Sequence, residues 1–509
     1  MGNVVQKMVI LCSPTSEDYR HELVKGNTGL FFPPLGLLLV AQTLKNAGYD
    51  VKVFDGNCDS SYKTNLLNTV SADSGRIVYI GFYLAFLQIK ECIEIIKMVR
   101  SMDMSIPIVT GGPFPSVFYE KIMESNLIDI CCLGDGADVS VNIAHSLRKG
   151  APMEGISNIC YRHDGKMVVN QRDKRDNLTP ENRILYENFI DIEKYVNKFN
   201  VYLTRSFNTG IKRAMPLLTG LGCSYKCAFC ENALMGHKHL SRSAEDIIDY
   251  IRYYYKKFNI DSFSFFDEDF FIDKKRLYQF LALLEASNMK IHWGTQCRVN
   301  YFNGNYINHE LLKWLEKTGC VRLSMGIESG SPKILKKINK GILPSQAISA
   351  AEVGRNSNIY FSYSFIVNLP EETRADFDMS FDLMEKLLSI KKNSFVSAIH
   401  QYFAYPGTPL SLEMERMKGR NVMESIMFEN FASFSLESYN KLVNPQKADL
   451  YKECRVYYQT LLHDSDKNTI SFRTLLRVVG HIRKLFGFYA FPVEIAAKKW
   501  IKSIGKESD

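Results

Sequence analysis

Cys223, Cys227 and Cys230 stand in C-x3-C-x2-C spacing within the run Leu218-Thr-Gly-Leu-Gly-Cys-Ser-Tyr-Lys-Cys-Ala-Phe-Cys230. The thiolate is the form of cysteine that binds metal. Three thiolates in one short loop, preceded by Gly220 and Gly222, fit a cubane [4Fe–4S] cluster whose fourth iron has no protein ligand. That open iron is a place for chemistry. Two other readings of the same residues stand beside it: zinc completed by His237 or His239, and three buried, inert cysteines.

The loop has to be held by the elements around it. From about residue 214 the chain alternates strand and helix patterns. Strands are expected at 216–219, 262–266, 291–294, 322–326, 360–367 and 397–403, with helices at 244–257, 274–286, 310–317, 344–355 and 374–388. Six βα units are too few for a closed eight-stranded barrel. They suit a partial (βα)6 barrel, with its site at the carboxyl ends of the strands. The cysteine loop follows the first of these strands and falls on that face.

A second alternation precedes it. Strands are expected at 8–11, 51–54, 77–82, 108–110 and 128–133, separated by helical patterns such as 36–47 and 89–102. Five such units argue for an α/β, doubly wound, Rossmann-like parallel sheet. Its ligand site belongs at the carboxyl ends of the strands, where glycine-bearing turns fall: Gly81, then Gly111-Gly112-Pro-Phe-Pro-Ser116, then Gly134-Asp-Gly136. No G-x-G-x-x-G opens the first helix, which argues against a dinucleotide. Residues 1–150 are read as this first domain and 151–205 as a connector with a hairpin near His163-Asp-Gly165. Residues 206–420 are read as the partial barrel and 421–509 as a mostly helical region.

The chain has 509 residues, 46% hydrophobic and 23% charged, with a net charge of +8. This is the composition of an ordinary globular protein, and the charge gives no argument for nucleic acid. No apolar stretch is long enough for a transmembrane helix. Twelve cysteines without a signal peptide indicate a reducing, cytoplasmic setting.

The cysteine spacing, with Phe229 just before the last cysteine, resembles the signature of the radical S-adenosylmethionine (SAM) superfamily. The resemblance extends over roughly residues 210–410: Phe266-Asp-Glu-Asp-Phe270, Met325-Gly-Ile-Glu-Ser-Gly-Ser331, Ile366-Val-Asn-Leu-Pro-Glu-Glu-Thr373 and Tyr405-Pro-Gly-Thr-Pro409 are similar to blocks of its cobalamin-dependent branch. Pro33-Pro-Leu-Gly-Leu37, Asp55, the Gly111–Ser116 turn and Gly134-Asp-Gly-Ala-Asp138 resemble the cobalamin-binding domain fused to that branch. The resemblance implies three cofactors: a [4Fe–4S] cluster on the three cysteines, SAM on its open iron, and cobalamin in the first domain. No histidine stands in a D-x-H-x-x-G context, in keeping with a branch that holds cobalt without one.

Beside this resemblance, Asp267, Glu268 and Asp269 are candidates to accept hydrogen bonds from the SAM ammonium. Glu328 and Ser329 are candidates for the ribose or amino group, and Arg298 for a carboxylate. Gly81, Gly111, Gly112, Ser116, Gly134 and Gly136 are candidates to pack against the corrin ring. Three positions depart from the family's pattern. Asn368 and Glu371 stand where glycine is common, which bears on the adenine contacts, and Phe114 stands where histidine or a small polar residue is frequent.

The activity implied is reductive SAM cleavage followed by methylation of an unactivated carbon in a secondary metabolite, lipid or peptide. The alternatives are a radical cyclase or rearrangement enzyme, and a zinc-stabilised binding protein. A reductase or flavodoxin-type electron donor is the expected partner. Between Lys467 and Lys506 lie nine Lys or Arg and one acidic residue, Glu494. This basic stretch reads either as a packed helical cap or as a contact with an anionic membrane surface.

Overall fold

The structure, a computed structural model, describes residues 6–15, 32–172, 178–196, 211–235, 239–417 and 443–444. Short apolar runs form β1 (Met8–Ser13), β2 (Asp50–Asp55), β3 (Ile77–Tyr83), β4 (Ile108–Gly111) and β5 (Ile130–Cys132). They pair in parallel in the order β2-β1-β3-β4-β5. A parallel sheet is covered on both faces, so central strands read as unbroken apolar runs, and every residue of β1 is buried. The covering helices are α1 (Leu35–Asn46), α2 (Tyr62–Asp73), α3 (Ile89–Met102), α4 (Pro113–Glu124) and α5 (Ala137–Lys149). Leu37 and Leu44 of α1 and Ile143 of α5 share a core with Val9 and Tyr79. Strand order reverses between β1 and β3, the switch point at which open sheets bind ligands.

Asp164 and Gly165 have φ of 49° and 72°. Two successive positive φ values are the turn geometry that matches the twist of a tight hairpin, here joining β6 (Ile159–His163) to β7 (Lys166–Val169). β6 pairs antiparallel with β5, so the hairpin placed in the 151–205 connector extends the first sheet. The connector around Ile184 and Tyr186 is also packed. The hydroxyls of Tyr250 and Tyr254, on α6 (Ala244–Phe258), each donate to the Ile184 carbonyl at 2.9 Å. Tyr186 donates to the Pro216 carbonyl, at 2.9 Å, in β8 (Ala214–Leu217).

The chain divides into two compact units. The first takes described residues 6–196, 211–291, 404–417 and Val443; the second takes 292–403 and Asn444. The first unit contains the sheet above and two βα repeats. In these, β8 and β11 (Ser262–Phe265) are parallel and followed by α6 and α7 (Lys274–Ala286). A short antiparallel ribbon, β9 (Gly220–Leu221) with β10 (Leu240–Ser241), closes the base of the cysteine loop.

The second unit contains four further parallel strands, β12 (His292–Gln296), β13 (Cys320–Glu328), β14 (Tyr360–Val367) and β15 (Ser394–Gln401). Its helices are α8 (His309–Lys317), α9 (Pro332–Lys337), α10 (Pro344–Val353) and α11 (Arg374–Ile390). A last helix, α12 (Pro409–Met417), belongs to the first unit. The chain order is thus six βα repeats, as the sequence pattern predicts. The helical region expected at 421–509, with its basic stretch, lies outside the described residues apart from Val443 and Asn444. Among the described residues no helix is long and apolar enough to cross a membrane.

Candidate active site

The cysteine loop is launched from the carboxyl end of β8. Thr219, just beyond that strand, donates to Oδ1 of Asp267 from its backbone N–H at 3.2 Å and from its hydroxyl at 2.5 Å. The other carboxylate oxygen lies 3.3 Å from Arg276, whose guanidinium also donates to the carbonyls of Thr219 and Phe270. Asp267 is fully buried. Its carboxylate therefore fastens the start of the loop. Asp269 is equally buried and accepts from the Phe271 N–H at 3.2 Å, capping a 3₁₀ turn. Of the acidic triplet, Glu268 alone is exposed.

Within the loop Cys227 is buried, and Cys223, Cys230 and Phe229 are partly exposed. None of the three cysteines is in a disulfide. The Cys230 N–H donates to the Cys227 carbonyl at 3.2 Å, turning the chain back on itself. The Ala228 carbonyl accepts from Leu410 at 2.9 Å, so the first turn of α12 braces the loop. Among the described residues no three Cys, His, Asp or Glu side chains converge closely enough to hold a single metal ion, as a zinc site requires. A cubane makes no such demand, because each thiolate binds a different iron. His237 lies outside the described residues. His239 is described; burial, and then the charge of Arg276, lower its pKa.

The glycine turns of the first sheet line a cavity of about 500 Å³. Gly81, Gly111, Gly112, Gly134 and Gly136 all border it, as does Gly36 in the Pro33–Leu37 run. Gly112 has φ of 115°, and a Cβ there would lie 3.0 Å from both the Leu84 carbonyl and the Tyr83 ring. Only glycine fits that turn without strain. Ser116 borders nothing open: its hydroxyl donates to the Gly112 carbonyl at 2.9 Å and accepts from the Gly134 N–H at 3.0 Å, tying two turns together. Phe114 is wholly buried against Phe86 and Phe118. Glu231, Asn232 and Leu234, which follow Cys230 closely, line the same cavity.

Sequence reasoning passed over Glu231, Tyr83 and Arg172, which all line the cavity. Burial pushes the Glu231 carboxyl up to about 7. Burial, and then the charge of Glu231, push Tyr83 up to about 12. A carboxylate directly after the third cysteine was the one available signal.

In the second unit Glu328, at the end of β13, is buried with φ of 69°. Its Oε1 is 2.7 Å from the Lys340 ammonium. Arg298 is buried rather than a surface residue; its guanidinium donates to the Lys340 carbonyl and, at 3.2 Å, to Asn300. The Ser329 hydroxyl is buried, 3.3 Å from Ser380 on α11, and accepts from the Ser331 N–H. A Cβ on Gly330 would lie 2.2 Å from the Met379 carbonyl. The close approach that Gly330 permits is therefore that of α11. Asn368 and Glu371, the two departures from glycine, have φ of 63° and 61°. Asparagine tolerates that region; Glu371 is held in it by Lys333, which donates to its carbonyl, and by Lys337 at 2.7 Å from its carboxylate.

Fold and site define an α/β enzyme that combines a cysteine loop at the end of a βα repeat with a glycine-edged cavity on a doubly wound sheet. Residues 217–384 match the family model of the radical SAM superfamily, and residues 22–144 that of the B12 binding domain. The chain thus carries a radical SAM domain and a B12 binding domain, the combination found in cobalamin-dependent radical SAM enzymes, whose cofactors are a [4Fe–4S] cluster, SAM and cobalamin. It is 26% identical over 487 residues to PH0819 of Pyrococcus horikoshii, described as an uncharacterized methyltransferase, covering 93% of this chain and 99% of that one. It is 23% identical to the anaerobic magnesium-protoporphyrin IX monomethyl ester cyclase of Rubrivivax gelatinosus, over 69% of this chain and 62% of the cyclase. Among solved structures, the methyltransferase TsrM of Kitasatospora setae superposes with a TM-score of 0.66 at 15% identity, over 98% of this chain and 100% of TsrM. The cobalamin-dependent radical SAM enzyme OxsB superposes with a TM-score of 0.67 at 17% identity, over 98% of this chain and 76% of OxsB.

Proposed function

We propose that the protein methylates a carbon of a small-molecule substrate. The observation that carries this reading is the cavity in the first unit: the glycine edge of the B12-binding sheet and the residues that follow Cys230 both line it. One space thus adjoins the places proposed for both cofactors. Similarity to PH0819 over nearly the full length of both chains supports it. When bound, the cluster supplies the electron that cleaves SAM and the corrinoid supplies the methyl group.

The chain's own part is placement. Cys223, Cys227 and Cys230 are proposed to hold the cluster. Asp267 and Arg276 fix the strand end from which that loop departs. Gly134 and Gly136 leave room for a wide, flat ring, Gly112 lets its turn pass close to Tyr83 and Leu84, and Ser116 keeps the turns in register. Phe229 and Glu268 are proposed to lie beside SAM, with Glu328 and Lys340 as an ion pair that meets it; Asn368 shapes the turn that follows β14. The expected setting is cytoplasmic, with a reductase or flavodoxin as electron donor.

The similarity to the Rubrivivax cyclase favours a second reading, ring closure without methyl transfer. The two differ in their products. Anaerobic protein reconstituted with iron, sulfide and hydroxocobalamin is given labelled SAM and a small-molecule extract of the source organism. Methyl transfer yields S-adenosylhomocysteine and a heavier product. Deoxyadenosine and methionine alone, with no methylated product, reject it in favour of the cyclase reading.

A further inference from the structure

The second unit has a sheet face that the residues discussed so far do not account for. Side chains alternate across a strand. On β14 one set, Phe361, Tyr363, Phe365 and Val367, is almost wholly buried. This is the helix side: the Lys391 ammonium, just past α11, lies 5.2 Å from the Phe361 ring centre. The other set holds Ser362 and Ser364. Register carries that second face across the sheet. Gln296 pairs with Ser324, Ser324 with Ser362, Gly326 with Ser364, Ser364 with Ala398, and Ile366 with His400. The result is a floor on which Ser324, Gly326, Ser362, Ser364 and Ala398 stand beside Gln296, Phe395 and Ile366. His400, the penultimate residue of β15, stands at the carboxyl end of the strands, where sites of this architecture lie.

His400 differs from a satisfied core histidine in two ways. Its side chain is exposed, and among the described residues it makes no hydrogen bond. Its surroundings are still dry enough that burial lowers its pKa, with the nearby charge of Glu328 acting the other way. The charges of Glu328 and Lys340 compensate one another. The Ser324, Ser362 and Ser364 hydroxyls on the floor can each donate and accept hydrogen bonds. A neutral imidazole can donate from one ring nitrogen and accept at the other.

We propose that His400 contacts the substrate directly, hydrogen-bonding a polar group of a compact, hydroxyl- or amide-bearing small molecule that rests on the Ser324, Ser362 and Ser364 floor. This deepens the methyl-transfer reading and rests on it. A bare alkyl chain lying on the serines would leave their hydroxyls unpaired beneath it. The substrate is therefore expected to present polar groups to the serines and to His400.

The test uses the full-length protein loaded with its cofactors, as wild type, His400→Ala and His400→Gln. The probe is the fraction of source-organism extract that raises wild-type S-adenosylhomocysteine output. That fraction is expected in the aqueous phase. His400→Ala should lose at least about tenfold of the fraction-dependent output, and His400→Gln, which can still donate and accept, should recover part of it. The dissociation constant for SAM should stay within about twofold in both variants. An unchanged response in His400→Ala overturns the inference. So does a parallel loss of SAM affinity, which would make His400 part of the SAM site, or activity confined to the organic phase. A wild type that responds to no fraction removes the methyl-transfer reading itself, and this inference with it, before any variant is compared.

Discussion

The Lys340 ammonium lies 2.7 Å from Oε1 of Glu328, a buried carboxylate held at a positive φ. A left-handed glutamate is uncommon, and such strain persists only where the surroundings over-determine it. Removing one partner of a buried pair leaves an uncompensated charge. Lys340→Met should therefore lower the unfolding free energy by about 3 kcal/mol. The double variant Lys340→Met with Glu328→Gln should be more stable than Lys340→Met alone; a double variant less stable than either single would refute the pairing argument. Glu328→Gln by itself should weaken SAM binding about tenfold with the cluster intact, read by anaerobic equilibrium dialysis.

Cys227 is the buried member of the cysteine trio. Cys227→Ala should abolish SAM cleavage and leave iron and sulfide below a full cubane, while hydroxocobalamin still binds to the first sheet. Absorbance and metal analysis on oxygen-free protein measure both. Retained deoxyadenosine formation would mean that other ligands hold the cluster.

Gly136 borders the cavity with an ordinary negative φ, and its nearest neighbours would be 3.5 Å from a Cβ. A side chain there costs little in the backbone and projects toward the space proposed for the corrin. Gly136→Phe should weaken cobalamin binding at least about tenfold while the iron content is unchanged. Full cobalamin occupancy in this variant would place the corrin elsewhere.

Asp376 joins two helix starts. It accepts from the Ser331 hydroxyl at 2.6 Å, where α9 begins, and from Thr373 at the N-cap of α11, with Lys333 at 2.7 Å. Burial alone would raise its pKa, but the hydrogen bonds from Lys333, Ser331 and Thr373 outweigh it and hold the carboxyl well below its usual range. A carboxylate with a depressed folded pKa stabilises above its unfolded value, roughly 4, and that contribution fades as pH falls further. Asp376→Asn should cost about 2 kcal/mol at neutral pH. It should also flatten the loss of stability on the acid side, read as unfolding midpoint against pH.

Lys391 is fully buried, donating to the Ser357 carbonyl at 2.5 Å. Burial lowers its pKa from 10.5 to about 8. Between those two values the unfolded chain binds more protons than the folded one, so stability rises with pH through that window. The penalty is present in full below about 8 and gone above about 10.5. Lys391→Met, similar in volume, should remove this rise. An identical pH profile in the variant would show that Lys391 is charged in both states.

The two alternations of strand and helix, and the turn that joins β6 to β7, were legible because period, glycine and an Asp-Gly pair are written in the chain itself. The cysteine spacing was legible for the same reason: a loop that wraps a cluster is a local object. Other features were hidden. The segment around Tyr186 reads only as part of a connector and yet is packed, because the tyrosines that hold it bond main-chain carbonyls. Gly330 stands in a block similar to one of the radical SAM family, and the space beside it is filled by α11.

Residue types and short spacings were therefore enough for the order of the domains, the cysteine loop and the glycine-edged turns. Only the folded chain decided what each charged group is for. It consumed Asp267 on Arg276, turned Ser116 into a strut, paired Glu328 with Lys340, and brought Glu231 to the cavity and His400 to an open sheet face. Each assignment depends on strand register and on contacts between residues far apart in sequence. A one-residue slip in register moves every side chain of a strand to the other face, so these assignments are settled only when strands far apart in sequence pair.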